Sequence, residues 1–357
     1  MKLYRIIDKI AFKFDIKRRL NRANNRAARK GRTKLSLQEK NAIAKEWGNR
    51  IKTVSHEFYK SYGLHFNPQY VPNDYYDFAE HVLNLRWAAF FLQHKCNLKY
   101  IIPEKHRPVT ILQKIDGHYV YEDNSEVSEN EAFSVLREKA TFVCKVALGS
   151  GGGRNVLKIS LDKDNQTSIF EFIHKSQDVI FQEVLQQNEF MSNFNPDSVN
   201  TFRLLTLNIN GNCTVLSSFL RMGGKGSFVD NLSSGKGVLV GVSQQGCLRE
   251  YGIRKNYTKV FESPTGIPFK GIIVPDWDKI KDTIIEFHRH IPFANLIGWD
   301  VALNKSGIPI VVEINLDSAE IEAHQIFNGP VFGDRLDEVR QYINAKKPLL
   351  RHAMITY

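Results

Sequence analysis

Residues 296–315 read LIGWDVALNKSGIPIVVEIN, two apolar runs flanking a Lys305-Ser306-Gly307 turn. Both runs read as strands, and each carries a carboxylate inside an otherwise apolar stretch. Glu313 and Asn315 sit at i and i+2, so their side chains share one face of a strand, and Asp300 on the preceding strand can reach the same face. Carboxylates among such residues are costly to bury unless a cation pairs them. Two carboxylates and an amide oxygen make a hard oxygen site suited to Mg²⁺ shared with phosphates, against the plainer alternative of salt-bridged edge residues. Whatever this chain folds into has to build a sheet around that trio.

The pattern from about residue 100 onward supplies such sheets. VTIL at 109–112 and HYVYE at 118–122 read as strands around an Asp116–Gly117 turn, followed by a capped amphipathic helix in SEVSENEAFSVLRE. TFVCKVAL (141–148), VIFQEVL (179–185) and TFRLLTLNI (201–209) are further strands, the last paired through Asn210–Gly211 with TVLSSFLRM (214–222). Many hairpins without regular strand–helix–strand alternation give an α+β class and not a doubly wound sheet. Upstream, residues 73–95 have helical period, with aromatics expected in the core. Residues 20–60 read as helical and basic, with Leu35, Leu37, Ile43 and Trp47 as candidate docking contacts.

Charge is distributed unevenly over the 357 residues, whose net charge is +11. Residues 1–60 hold 18 Lys and Arg against 5 Asp and Glu, and the remainder holds 31 against 33. In residues 1–19, Leu3, Ile6, Ile7, Ile10 and Phe14 fall at helical spacing with Lys and Arg on the other face, a basic amphipathic pattern suited to an anionic membrane surface or a protein partner. No nucleic-acid-binding motif accompanies it, so nucleic acid is not an expected partner. Cys96, Cys144, Cys213 and Cys247 form no C-x-x-C pair, which argues against structural zinc and a disulfide framework and fits a reducing cytoplasm. No apolar run approaches the roughly 20 residues that span a bilayer, and Asp8, Lys9, Lys13 and Asp15 interrupt any signal-peptide core.

Three further features point at phosphate. Lys145 lies on a strand that runs into Gly149-Ser150-Gly151-Gly152-Gly153, a loop able to turn tightly and present backbone N–H groups to phosphate oxygens. It completes neither a Walker A nor a G-x-G-x-x-G pattern, and taken alone it also fits a hairpin tip. Arg203 and Arg221 lie within apolar strands, where each needs an anion, a protein carboxylate or a bound phosphate. A triphosphate would serve the loop, the arginines and the carboxylate trio together.

In this order the segments FVCKVALGSGGG, VIFQEVLQQ, NPDSVNTFRLLTL, LRMGGKGSFVDNLSSGKGVLVGV, GWDVALNKSGIPIVVEIN and HQIFNGPVFGD resemble the ATP-grasp superfamily over about residues 90–335. They are most similar to its sugar-transfer-associated family, and more distantly to D-alanine–D-alanine ligase. The resemblance implies an ATP-grasp fold, two α+β subdomains gripping ATP, with Mg²⁺ as the second cofactor. It implies that Lys145 and the loop residues Ser150, Gly151, Gly152 and Gly153 hold phosphates, and that Gln182, Glu183, Val184 and Leu185 form the hinge beside the adenine. It also implies that Asp300, Glu313 and Asn315 ligate Mg²⁺, that Arg203 and Arg221 neutralise the transferring phosphoryl group, and that Asn231 lies near it. Lys95 is the candidate for a second nucleotide lysine.

The implied reaction is ADP-forming ligation of a carboxylate to an amine through an acyl-phosphate, in surface polysaccharide biosynthesis, with small-molecule or glycan substrates. A kinase of the same fold and a non-catalytic nucleotide-binding adaptor stay open. The expected division is a basic arm (1–60), a helical subdomain (61–105), the ATP-grasp domain (106–340) and a tail (341–357), at the cytoplasmic face of the membrane. Three positions depart from the family pattern: Val146 follows Lys145 in place of Pro, Asn188 stands where His follows the hinge, and Leu316-Asp317-Ser318-Ala319 replaces x-x-Pro-Gly after Asn315.

Overall fold

The computed structural model describes residues 33–49, 51–149, 155–162, 166–226, 228, 237–317 and 320–356. The amphipathic segment 1–19, the loop residues Ser150, Gly151, Gly152 and Gly153, and Asn231 lie outside the described residues.

The described residues begin with four helices, α1 (Leu37–Trp47), α2 (Val54–Ser61), α3 (Asn73–Leu83) and α4 (Arg86–Gln93). A capping box starts α1, in which the Ser36 hydroxyl accepts from the Glu39 N–H and the Glu39 carboxylate accepts from the Ser36 N–H. Ile43 of α1 and Leu35 are buried and Trp47 packs against the core beside α3, but Leu37 is 75% exposed and docks on nothing described.

The helical stretch 73–95 is two helices. Asn84 breaks it in an extended conformation: its Nδ2 donates to the carbonyls of Leu296 and Leu316, and its Oδ1 accepts from the N–H groups of Asn295 and Leu296. Four buried hydrogen bonds to distant backbone outweigh one more turn of helix. The aromatics of this stretch are divided. Tyr76 is buried, whereas Phe78, Phe90 and Phe91 are 38%, 56% and 43% exposed, against the expectation of a wholly internal set.

The strands form two sheets in which every pairing is antiparallel. The smaller contains β1 (Thr110–Ile115), β2 (His118–Val120), β3 (Glu126–Val127), β4 (Thr141–Val146), β5 (Val156–Ser160) and β6 (Val179–Gln182), in the order β3-β2-β1-β6-β4-β5. Helices α5 (Glu129–Lys139) and α6 (Gln166–Lys175) cover one face over a core that includes Leu112, Phe142, Phe181 and Ile173. The larger contains β7 (Thr201–Ile209), β8 (Asn212–Met222), β9 (Val238–Val242), β10 (Leu248–Ile253), β11 (Lys259–Val260), β12 (Leu296–Leu303) and β13 (Pro309–Asn315), in the order β11-β10-β9-β8-β7-β12-β13. Both two-residue turns form as read: Asp116 and Gly117 (φ 48° and 86°) and Asn210 and Gly211 (φ 53° and 84°) are left-handed, as primed hairpin turns require.

The larger sheet is covered on both faces, which explains why its strands read as nearly continuous apolar runs. The short helix α7 (Glu189–Phe194) leads into it, and Leu204 and Leu205, neighbours in β7, belong to separate cores on opposite sides. Leu204 shares its core with Trp299 and with α8 (Trp277–Arg289), while Leu205 faces α3 and the C-terminal helices α9 (Ile321–Asn328) and α10 (Leu336–Thr356). Full burial of a side chain such as Trp299 contributes on the order of 2–3 kcal/mol. Helix α9 lies directly on β9 at Gly241, where a Cβ would come within 2.4 Å of Phe327. Helix α10 continues through residue 341 without a break.

Candidate functional site

Strand alternation explains why the charged residues of the larger sheet meet. Trp299 and Val301 of β12, Ile314 of β13, and Leu220 and Met222 of β8 point toward α8. Asp300, Glu313, Asn315 and Arg221 therefore point to the other face, and Arg203 joins them because Leu204 points toward α8. Register completes the assembly. Asp300 stands opposite Arg203 on one side and Glu313 on the other, Asn315 opposite Gly298, and Arg221 opposite Thr201. A register shift in the β12–β13 pair falls between Asp300 and Val301, beside the acids.

The Arg203 guanidinium clamps both oxygens of Asp300, Nε to Oδ1 at 2.5 Å and Nη2 to Oδ2 at 2.9 Å. Arg221 Nη1 lies 3.6 Å from Asp300 Oδ2, and Asn315 Nδ2 lies 3.5 Å from the same oxygen. Burial alone would raise the Asp300 carboxyl, but the arginines outweigh it and hold the group below the usual carboxylate range. Burial likewise works against the charge on Arg203, and Asp300 reverses this and raises its pKa.

Lys95 enters from the other sheet. It begins the 3-10 segment Lys95–Tyr100, and its N–H donates to the carbonyl of Ala147, just beyond β4. Its ammonium reaches Glu313 Oε1 at 2.8 Å, so one buried lysine links the end of β4 in the smaller sheet to β13 in the larger. Lys145, the other candidate lysine, lies in β4 opposite Ile180 of β6, near the same end.

The hinge candidates leave β6 and cross between the sheets. Gln182 is buried, the Glu183 N–H donates to the Val109 carbonyl, and the Glu183 carboxylate accepts from Lys139 at 2.7 Å. Five residues on, the Asn188 N–H donates to the carbonyl of Leu303 in β12. The Asn188 side chain caps α7 by accepting from the Met191 N–H.

Glu320 is the site residue that the sequence reading missed. It precedes α9 with φ 58°, a left-handed conformation uncommon for Glu, and its Oε2 lies 3.5 Å from Arg221 Nη1 and 3.9 Å from Arg203 Nη1. Only the altered sequence after Asn315 hinted that this loop differs. Three cations (Lys95, Arg203, Arg221) thus face three carboxylates (Asp300, Glu313, Glu320), with Asn315 beside them. Among the described residues no group of three or more His, Cys, Asp and Glu could hold a metal. The donor set that fits a hard cation is Asp300, Glu313 and the Asn315 amide oxygen, and its carboxylates are at present held by Arg203 and Lys95.

The profile of the sugar-transfer-associated ATP-grasp family matches residues 78–341, well over half of the chain. Solved structures similar to this chain include a D-alanine–D-alanine ligase from Coxiella burnetii (9% identity, 74% of this chain, 62% of that chain, TM-score 0.40). Another is the ATP-grasp ligase PsnB complexed with minimal precursor, Mg and ADP (12% identity, 73% and 62%, TM-score 0.42). A third is a biotin carboxylase–beta-gamma-ATP complex from Campylobacter jejuni (12% identity, 71% and 46%, TM-score 0.44). The chain therefore spans less than two thirds of the length of these structures. No curated protein sequence matches it.

Proposed function

Because the chain belongs to the sugar-transfer-associated ATP-grasp family, we propose that it binds ATP with Mg²⁺ between its two sheets and ligates a carboxylate to an amine, releasing ADP and phosphate. The observation that carries this reading is the cluster in which Lys95, Arg203 and Arg221 meet Asp300, Glu313 and Glu320 over one face of β7, β8, β12 and β13. Buried charges of this kind need partners in every state of the protein. A triphosphate offers anions to Lys95, Arg203 and Arg221, and Mg²⁺ offers a cation to Asp300, Glu313 and Asn315, so both sets can exchange partners without leaving a charge alone.

In this scheme Lys145 and the loop residues 149–153 hold the inner phosphates, and the backbone of Gln182, Glu183, Val184 and Leu185 lies along the adenine. Arg203 and Arg221 stabilise charge on the terminal phosphoryl group as it passes to a carboxylate oxygen, with Asn231 near that group. Bound Mg²⁺ supplies neutralisation of the phosphate oxygens. The substrate carboxylate gains a phosphoryl leaving group, and attack by the amine forms the amide, expels phosphate and releases a proton. The family description supports a role beside sugar transfer, in surface polysaccharide synthesis. The basic amphipathic pattern of residues 1–19 supports attachment to the inner face of a membrane.

Hydroxylamine tests the chemistry, because it captures acyl-phosphates whatever the natural amine is. Carboxylates from candidate glycan and amino-acid substrates, incubated with MgATP and hydroxylamine, should give a hydroxamate and ADP in equal amounts. A stable phosphorylated alcohol without hydroxamate would assign a kinase instead.

A further inference from the structure

We propose that α4 carries a contact surface for an anionic phospholipid membrane, an aromatic patch of Phe90, Phe91 and Tyr100 that inserts shallowly among the headgroups. The proposal is independent of the nucleotide reading and goes beyond the segment 1–19. The inner side of α4 is accounted for, since Ala88 and Leu92, one turn apart, are buried in the core that includes Trp299. Phe90 and Phe91 lie between them in sequence and are exposed, and the Phe91 ring stacks at 6.4 Å on that of Tyr100, itself 60% exposed. A single exposed apolar residue is ordinary on a folded surface. Adjacent exposed aromatics on one short helix mark a contact.

Charge decides which partner fits. From residue 81 through 103 the sequence contains no Asp or Glu. The acids that approach from the smaller sheet are engaged: Asp178 lies 3.2 Å from His94 Nε2, Glu122 pairs with Arg107 at 3.0 Å, and Asp123 accepts from Ser125. The Lys99 ammonium lies 5.2 Å from the centre of the Tyr100 ring, and its hydrogen bonds to Gln113, Asn124 and the Glu122 carbonyl go to neutral acceptors. A fixed positive charge therefore borders the patch, and a negatively charged surface is its complement. The Tyr100 hydroxyl donates to Asn124, which leaves a polar tip on an apolar ring, the form aromatic side chains take at a membrane–water boundary. With eight residues α4 is too short to cross a bilayer, so the patch rests in the headgroup layer. Stable attachment to a membrane takes two weak contacts. The basic segment 1–19 supplies an electrostatic one, and this patch an apolar one.

The test measures partition of the full chain into vesicles of phosphatidylglycerol mixed with phosphatidylcholine, at low and at high salt. Replacing both aromatics of α4, Phe90→Ser with Phe91→Ser, should lower partition about ten-fold or more. The same ratio should hold at high salt, where attraction to the basic segment is screened. Phe90→Trp with Phe91→Trp should match or exceed the parent, because Trp favours the interface, and it keeps the comparison readable if the serine variant melts at a lower temperature. Equal partition of the parent and both variants would overturn the proposal, as would a parent that binds pure phosphatidylcholine vesicles as well as the anionic mixture. A serine variant that differs from the parent only in oligomeric state, measured without vesicles, would overturn it too and assign the patch to a second copy of the chain.

Discussion

Arg203 in β7 and Asp300 in β12 stand directly opposite each other, paired through two hydrogen bonds of 2.5 and 2.9 Å, and both are buried. Every other charged group of the site is arranged about this pair. Removing one partner leaves the other charge buried and uncompensated, so Asp300→Asn should cost about 3–5 kcal/mol in urea unfolding. Arg203→Lys should also destabilise, because an ammonium cannot make both bonds in the same plane. The Asp300 pKa is depressed on folding, so its stabilisation is complete above the ordinary carboxylate value of 3.8 and is lost as pH falls through the lower folded value. The cost of Asp300→Asn should therefore persist unchanged from pH 7 to 5 and shrink only in stronger acid.

Glu313 shows how a neighbouring cation changes the sign of an expectation. Sequence alone suggests that Glu313→Gln relieves repulsion between carboxylates. Opposite Glu313, however, stands the buried ammonium of Lys95 at 2.8 Å. The variant should lower stability without nucleotide by about 2 kcal/mol, and it should also lose most of the added stability that MgATP gives the parent. Thermal unfolding with and without MgATP reads both effects.

His288 gives the protein a second acid sensitivity, away from the site. Burial beside Trp299 pushes its pKa down to about 4, and the hydrogen bond with the Ala294 carbonyl only partly offsets this. A depressed pKa means that the contribution to stability is complete above the ordinary value of 6.5 and falls away toward 4. Between those limits His288→Gln should flatten the dependence of unfolding free energy on pH by up to about 1.4 kcal/mol per unit. An unchanged slope would place the acid sensitivity elsewhere.

The N-terminal segment should act apart from the nucleotide cleft. Deleting residues 1–32 should weaken co-sedimentation with anionic liposomes and leave nucleotide affinity within two-fold, because the excess positive charge lies in that region. Equal sedimentation of the truncated and full chains would remove the membrane reading.

The hairpins and the acids were legible because their signals are local. Asn210–Gly211 and Asp116–Gly117 announce their turns, and Asp300, Glu313 and Asn315 stand out against apolar neighbours. Arg203 and Arg221 were legible for the same reason, but their partners were not, since Asp300 is 97 residues from Arg203. Glu320 left only an indirect signal, the altered sequence after Asn315. Its placement depends on a left-handed backbone that glutamate rarely adopts, and on α9 being seated over Gly241. Asn84 escaped notice because a helical period runs through it, and only its contacts with Leu296 and Leu316 end the helix there.

The central claim is that the buried cations of this cleft exchange carboxylates for the phosphates of a magnesium nucleotide. Titrating the full chain with AMPPNP, with and without Mg²⁺, tests it most directly, with Lys145→Gln as the comparison. The account expects binding that requires Mg²⁺ and that weakens about ten-fold or more in the variant. Absence of nucleotide binding, or binding indifferent to both Mg²⁺ and Lys145, would contradict it.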